Sequence, residues 1–241
     1  MALPNIYWQP SILRRQPILV AKYPASNCDS LLGLLPNLKY HKNNVSIKSI
    51  SRPQSNFTSY SFDFNNYHQD LEAFKDAFDY LLKIYIANGF RSKWSSVVEC
   101  HKSLESNDSR WLNPLIFEYV YPSKFEWHAH SARFQNFQLV MNLSLEGRDY
   151  QECLFEVAYN KQHSWKFESN HYQGSIISFP YSYAHRLTNL APVANPKHLQ
   201  RHLHLIMPLH PKKGFRGSYI PLEGWPKPPI ESTLTINNLQ N

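Results

Sequence analysis

Residues 121–130 read YPSKFEWHAH: a tyrosine, a proline turn, an aromatic stretch and a His-x-His. On an extended segment the side chains alternate between two faces with a period of two. His128 and His130 therefore point the same way. A third histidine, His185, closes the stretch GSIISFPYSYAH at residues 174–185. The apolar run within it reads as a strand. A histidine delivered by that strand, facing the first two, would complete one face of a divalent metal ion and leave other positions open.

Working outward from this stretch, the second half of the chain is strand after strand. Residues 116–121 are β-branched and aromatic. Phe137, Leu139, Met141, Leu143 and Leu145 alternate with Gln138, Val140, Asn142 and Ser144, giving one core face and one mixed face. Residues 154–159, 175–179 and 202–207 continue the series, with turn residues but no helical pattern between them. That order argues for an antiparallel barrel or sandwich. Upstream, residues 17–23 and 57–64 read as strands, and residues 29–35 as a short helix capped by Ser26 or Asn27. The strongest helix is 68–88, where Leu71, Phe74, Phe78, Leu81, Leu82 and Tyr85 recur at three- and four-residue steps. A second helix is expected over 91–104. The fold class is mainly β with flanking helices (α+β). Residues 1–230 are expected to form one domain with an N-terminal helical buttress, and 231–241 a flexible tail.

Bulk properties narrow the function classes. An aromatic share of 15% suits the broad packing surfaces of a β structure. The net charge of +7 is dispersed, with no basic cluster interleaved with aromatics, so nucleic acid is not an expected partner. Three isolated cysteines without a CxxC indicate a reducing compartment. There is no signal-peptide pattern and no run long enough to span a bilayer, so the expected location is the cytoplasm. Nucleophile elbows and phosphate-cradling glycine loops are absent. With 12 histidines, a His-x-His arises easily, and His202-x-His204 is a second instance. What distinguishes His128 and His130 is their context of strand and proline turn.

The ordered set YPSKFEWHAH, GSIISFPYSYAHR and a later arginine resembles the Fe(II)/2-oxoglutarate-dependent dioxygenases, over roughly residues 113–210. That resemblance implies a double-stranded β-helix (a jelly-roll or cupin-like barrel). It implies Fe(II) held by His128, His130 and His185, with His130 standing where the family places a carboxylate. It also implies 2-oxoglutarate as co-substrate, chelating the metal and pairing with Arg201, which lies further beyond the distal histidine than the family's arginine usually does. Tyr119 and Tyr121 occupy the strand where the family often holds the oxo acid. Asn142 and Gln138 share a face and are candidates to line the pocket. Glu126, two residues before His128, is expected on the same side if the strand is regular, as a reserve carboxylate ligand or, in preference to that, beside the ligands or solvated. Alternation turns Arg186 away from the metal. It also puts Arg201 with Leu203 and Leu205, opposite His202 and His204; binding an oxo acid requires the Arg201 face to be the interior one. The implied activity is oxidation of a small-molecule or peptide substrate. Two other readings stay open: a non-catalytic or zinc-binding β-barrel, and a three-histidine cupin-type dioxygenase that does not use 2-oxoglutarate.

Overall fold

A computed structural model describes residues 17–40, 47–52, 57–64, 71–88, 94–107, 111–123, 125–130, 137–153, 155–158, 164–167, 173–188, 190–191, 193, 201–207, 209–210, 219–222 and 230–234. In chain order the elements are β1 (Ile18–Lys22), α1 (Ala25–Tyr40), β2 (Ile47–Arg52), β3 (Phe57–Phe62), α2 (Glu72–Ala87), α3 (Val97–Asn107), β4 (Trp111–Leu112), β5 (Leu115–Val120) and β6 (Phe125–His130). There follow β7 (Phe137–Asn142), β8 (Phe155–Ala158), β9 (Ser164–Phe167), β10 (Ser175–Pro180), β11 (Ala184–Leu187), β12 (Arg201–Ile206), β13 (Leu209–His210), β14 (Tyr219–Pro221) and β15 (Ile230–Leu234).

The strands form a seven-stranded sheet, β1-β10-β7-β12-β5-β3-β2, and a six-stranded sheet, β14-β6-β11-β8-β9-β15, with β13 and β4 paired apart. All pairings are antiparallel except β15 on β9. Residues of both large sheets, among them Tyr119, Val140 and Ile206 from one and Phe155, Val157 and Leu187 from the other, share one apolar cluster. The two sheets therefore pack face to face. The opposite face of the larger sheet is covered by α1 and α2 through a second cluster. This explains why β7 and β10 are buried along their whole length. One side meets the helices and the other meets the second sheet.

Helix α2 shows how the periodicity sets the packing. Phe74, Ala77, Phe78, Leu81, Leu82, Ile84 and Tyr85 are buried. A 16-residue helix is marginal alone in water, so its stability comes from this stripe. Each buried large side chain contributes about 1.5–3 kcal/mol. Tyr85 stacks on Phe137 at 5.3 Å, and its hydroxyl accepts the Leu139 amide at 3.1 Å. Helix α3 starts later than the sequence suggests because Ser96 caps it: its hydroxyl accepts the Glu99 amide, while the Glu99 carboxylate accepts the Ser95 amide and hydroxyl. Helix α1 instead begins earlier than expected, at Ala25 directly after Pro24, whose carbonyl accepts the amides of Asn27 and Cys28. It continues past Pro36 to Tyr40. At the C-terminus Ile230–Leu234 forms strand β15, whose backbone groups find ladder partners on β9. Among the described residues no helix is long and apolar enough to cross a membrane.

Gly174 joins three strands. Its amide donates to the Asn142 carbonyl at the end of β7, and its carbonyl accepts the Tyr23 amide just beyond β1, both at 2.7 Å. Its φ is +82°, and a Cβ there would lie 2.0 Å from the Tyr23 carbonyl oxygen. Backbone strain and a clash with main chain both oppose any side chain. Gly174→Ala is expected to cost about 3 kcal/mol or more, read as a lowered urea midpoint. An unchanged midpoint would show that β1 and β10 can separate freely here.

Candidate metal centre

His128 and His185 lie opposite each other on β6 and β11. Directly opposed residues on antiparallel strands bring their Cβ atoms within about 4.5–5.5 Å, so two rings can converge on one point. The ring centroids of His128 and His185 are 4.0 Å apart, and His130 is 5.1 Å from each. One nitrogen from each of the three lies within 4.8 Å of the others. The three histidines singled out from the sequence are thus brought together by the fold.

A β-bulge aims them. Between His185 and Leu187 the register with β6 slips, so that Leu187 faces Phe125 rather than Glu126. The extra residue breaks the alternation. Phe125 and His128 end on the same side, their rings 4.4 Å apart. Trp127 packs on the outer face with Ala158 and Ala184. Glu126 is displaced to the exposed surface. Of the roles open to Glu126, the exposed position fits the solvated one, because the bulge turns its carboxylate away from His128. Glu126 serves the site through its backbone instead.

That backbone contact fixes the chemistry of the rings. The His128 Nδ1–H donates to the Glu126 carbonyl at 3.0 Å, and the His185 Nδ1–H donates to the Tyr183 carbonyl at 3.0 Å. A carbonyl can only accept, so in both rings Nε2 carries the lone pair. This is the tautomer and orientation that a metal-ligating imidazole uses. Both rings are also held neutral. Burial first, then the neighbouring His130, pushes the His128 pKa down to about 3, with the carbonyls of Glu126 and His185 opposing. Burial first, then the neighbouring His128, pushes His185 well below its ordinary value. Tyr181 stacks on His130 at 4.9 Å, and Phe179 packs on His185 at 4.8 Å. The donor set is three nitrogens and no carboxylate, which suits a borderline divalent ion such as Fe(II), Zn(II), Ni(II) or Cu(II).

The remaining site candidates divide. Gln138 lies opposite Phe179 on β10, on the interior face, and its Oε1 is buried without a hydrogen bond among the described residues. Asn142 faces the interior too, where its Oδ1 meets His202 Nε2 at 3.1 Å. Tyr119 is buried in the inter-sheet cluster, 6.0 Å from His204 and 6.4 Å from His202. Tyr121 is 44% exposed, in the turn after β5, which removes it from the interior. Arg186 turns outward as alternation requires, pairing with Glu156 at 2.5 Å and lying 4.8 Å over Trp127. The backbone of Arg201 pairs with Val120, and its side chain lies outside the described residues. Leu203 and Leu205 pack in the helix-side cluster, and it is His202 and His204 that sit among the interior aromatics. Sequence reasoning set His202 and His204 aside as chance. The signal that could have recovered them is the mixed face of β7, whose Asn142 needs a polar partner in the interior.

No family model and no curated protein matches the chain. Solved structures do. A prolyl-4-hydroxylase from Pseudomonas putida matches at 10% identity with a TM-score of 0.55, covering 82% of this chain and 95% of that one. The fold is a double-stranded β-helix. Its two sheets face each other without closing into a barrel. Two further matches have lower scores. One is an oxidoreductase of the 2OG-Fe(II) oxygenase family from Burkholderia pseudomallei, at 11% identity and a TM-score of 0.47, covering 85% of this chain and 89% of that one. The other is the Fe(II)/(alpha)ketoglutarate-dependent dioxygenase TqaL, at 13% and 0.46, covering 90% and 91%.

Proposed function

We propose that this protein is a non-haem Fe(II) oxygenase that uses 2-oxoglutarate to oxidise a small-molecule or peptide substrate. The observation that carries the reading is the converging histidine triad, with two Nε2 lone pairs set by backbone carbonyls, on the inner face of a double-stranded β-helix. His128, His130 and His185 would hold the iron. Bound iron would supply activation of oxygen next to the substrate. The chain's own part is to keep His128 and His185 neutral and oriented. Phe125, Phe155 and Phe179 keep water from the rings. The resemblance of the motifs and the likeness of fold to a prolyl-4-hydroxylase support the choice of co-substrate. The test is anaerobic loading with Fe(II), followed by measurement of 2-oxoglutarate consumption on admitting oxygen, with and without candidate substrates. Stoichiometric iron binding without any oxo-acid loss would sink the co-substrate.

A second reading has one observation in its favour. Among the described residues the donor set contains no carboxylate. A three-histidine dioxygenase that works without an oxo acid fits that fact. Oxygen uptake independent of 2-oxoglutarate would select it. Zinc uptake without any oxygen uptake would select a binding module.

His130 separates these possibilities further. It is the half-buried member of the triad, in the slot where the resembled family has a carboxylate. His130→Asp is expected to retain more iron than His130→Ala, because a carboxylate restores a negative ligand while alanine leaves an open position. Iron content after identical anaerobic dialysis is the readout. Equal, full occupancy in both variants would reduce the site to two histidines.

A further inference from the structure

The interior holds a second histidine cluster that the proposed reaction does not use. His202 and His204 project from β12, their rings 4.3 Å apart. Tyr150 stacks on His202 at 4.2 Å with the planes 4° apart, and Tyr119 meets both rings edge-on. Phe155 lies 5.8 Å from His204 and 6.1 Å from His185, between this pair and the triad.

The protonation of His202 follows from its partner. Asn142 Nδ2 donates to the Ser144 carbonyl at 3.1 Å, and its Oδ1 accepts the Ser144 amide at 3.2 Å. Those two backbone groups fix the amide orientation. Oδ1 therefore faces His202, whose Nε2–H must be the donor at 3.1 Å. The lone pair is left on Nδ1, which is buried with no hydrogen bond among the described residues. A buried acceptor left unsatisfied is destabilising, so the lone pair on Nδ1 is open to a donor or a proton.

We infer that His202 and His204 form an anion-binding subsite that takes up a proton together with a ligand carboxylate. The groups facing the pair are Tyr119 from β5, Asn142 from β7, Tyr150 from the loop between β7 and β8, and Phe155 from β8. None of them carries a charge at neutral pH. Among the described residues an imidazolium here therefore meets no counter-ion until a ligand supplies one. Empty, both rings are neutral: burial, and for His202 the neighbouring His204, lower their pKa values. A carboxylate against Nδ1 reverses the balance. The proton from solvent goes to Nδ1, completing its hydrogen bonding, and the stacked Tyr150 face then meets a cation, a favourable arrangement. A neutral hydroxyl ligand would satisfy the same lone pair without a proton, which makes the proton count decisive.

The inference depends on the oxygenase reading only for its first probe. The zinc-loaded full chain, which cannot turn over, is titrated calorimetrically with 2-oxoglutarate and with 2-oxobutyrate in buffers of different ionisation enthalpy. The two acids share the oxo-acid end, and only the first has a distal carboxylate. At pH 7.5, 2-oxoglutarate is expected to take up about one proton more than 2-oxobutyrate, and its affinity to fall about tenfold per pH unit above that. His202→Gln, which can still donate to Asn142 but cannot be protonated, should abolish the extra proton and weaken 2-oxoglutarate about thirtyfold or more. His204→Gln provides a second variant should the first fail to fold. Equal proton counts for the two acids, or a full count in His202→Gln, would overturn the subsite. So would the loss of a second equivalent of zinc in that variant, which would make the pair a metal site. Zinc uptake is measured beforehand. If the triad binds none, the metal reading fails by itself, and succinate titrated into the metal-free chain decides the pair by the same proton count.

Discussion

His128→Ala and His185→Ala are each expected to abolish stoichiometric metal binding, a loss well beyond the 10–100-fold typical of disturbing an outer partner. The two residues face each other across β6 and β11, with rings 4.0 Å apart. Each has its tautomer fixed by a carbonyl two residues earlier in its own strand. Removing either ring leaves two donors, one of them the half-buried His130. Two imidazoles are a poor site at the micromolar metal concentrations that survive dialysis. Metal content after dialysis against a weak chelator is the readout, with circular dichroism to show that the sheets persist. Full occupancy in either single variant would sink the triad. The truncation should not unfold the chain, because Phe125, Phe155 and Phe179 still fill the space around the missing ring.

The parts of this fold that were legible in the sequence are those where one period governs. The apolar stripe of α2 and the alternation of β7 survive because each element has a single well-defined buried side. The triad was legible because a His-x-His next to a proline turn has few other uses. That Glu126 turns away from His128 was not legible because a β-bulge has no compositional marker in this stretch. Alternation fixes which residues share a face, but which face meets the second sheet depends on the partners of β12. Here Glu118, opposite Leu203, bonds to the Tyr60 hydroxyl at 2.6 Å on the helix side, and that choice sends His202 and His204 into the interior. Strands β14 and β15 were missed because their pairing is long-range and their local sequence is rich in proline or polar residues.

The metal-free chain is expected to lose stability steeply as the pH falls below about 6.5. Four buried histidines, His128, His185, His202 and His204, have pKa values lowered by burial. The sign follows from linkage. In the unfolded chain each titrates near its ordinary value of about 6.5, while in the folded chain each stays neutral, so below that pH the unfolded state binds more protons and is favoured. Stability is fully present above the unfolded pKa and drains away toward the folded one, which for His128 and His204 is about 3. Each histidine costs about 1.4 kcal/mol per pH unit in that window, so the four together cost roughly 5 kcal/mol by pH 5.5. Domains have about 5–15 kcal/mol in total, so this loss brings the chain near unfolding in mildly acidic buffer. Ordinary carboxylates titrate lower, near pH 4, and do not contribute to the window. Urea midpoints at intervals between pH 7.5 and 5.5 measure the effect. His204→Gln, which removes one titrating group, should flatten the slope by about one proton. A stability that stays level across the window would mean that these rings are solvated or charged in the folded chain, and the neutral His128 and His185 on which metal binding rests would fall with it.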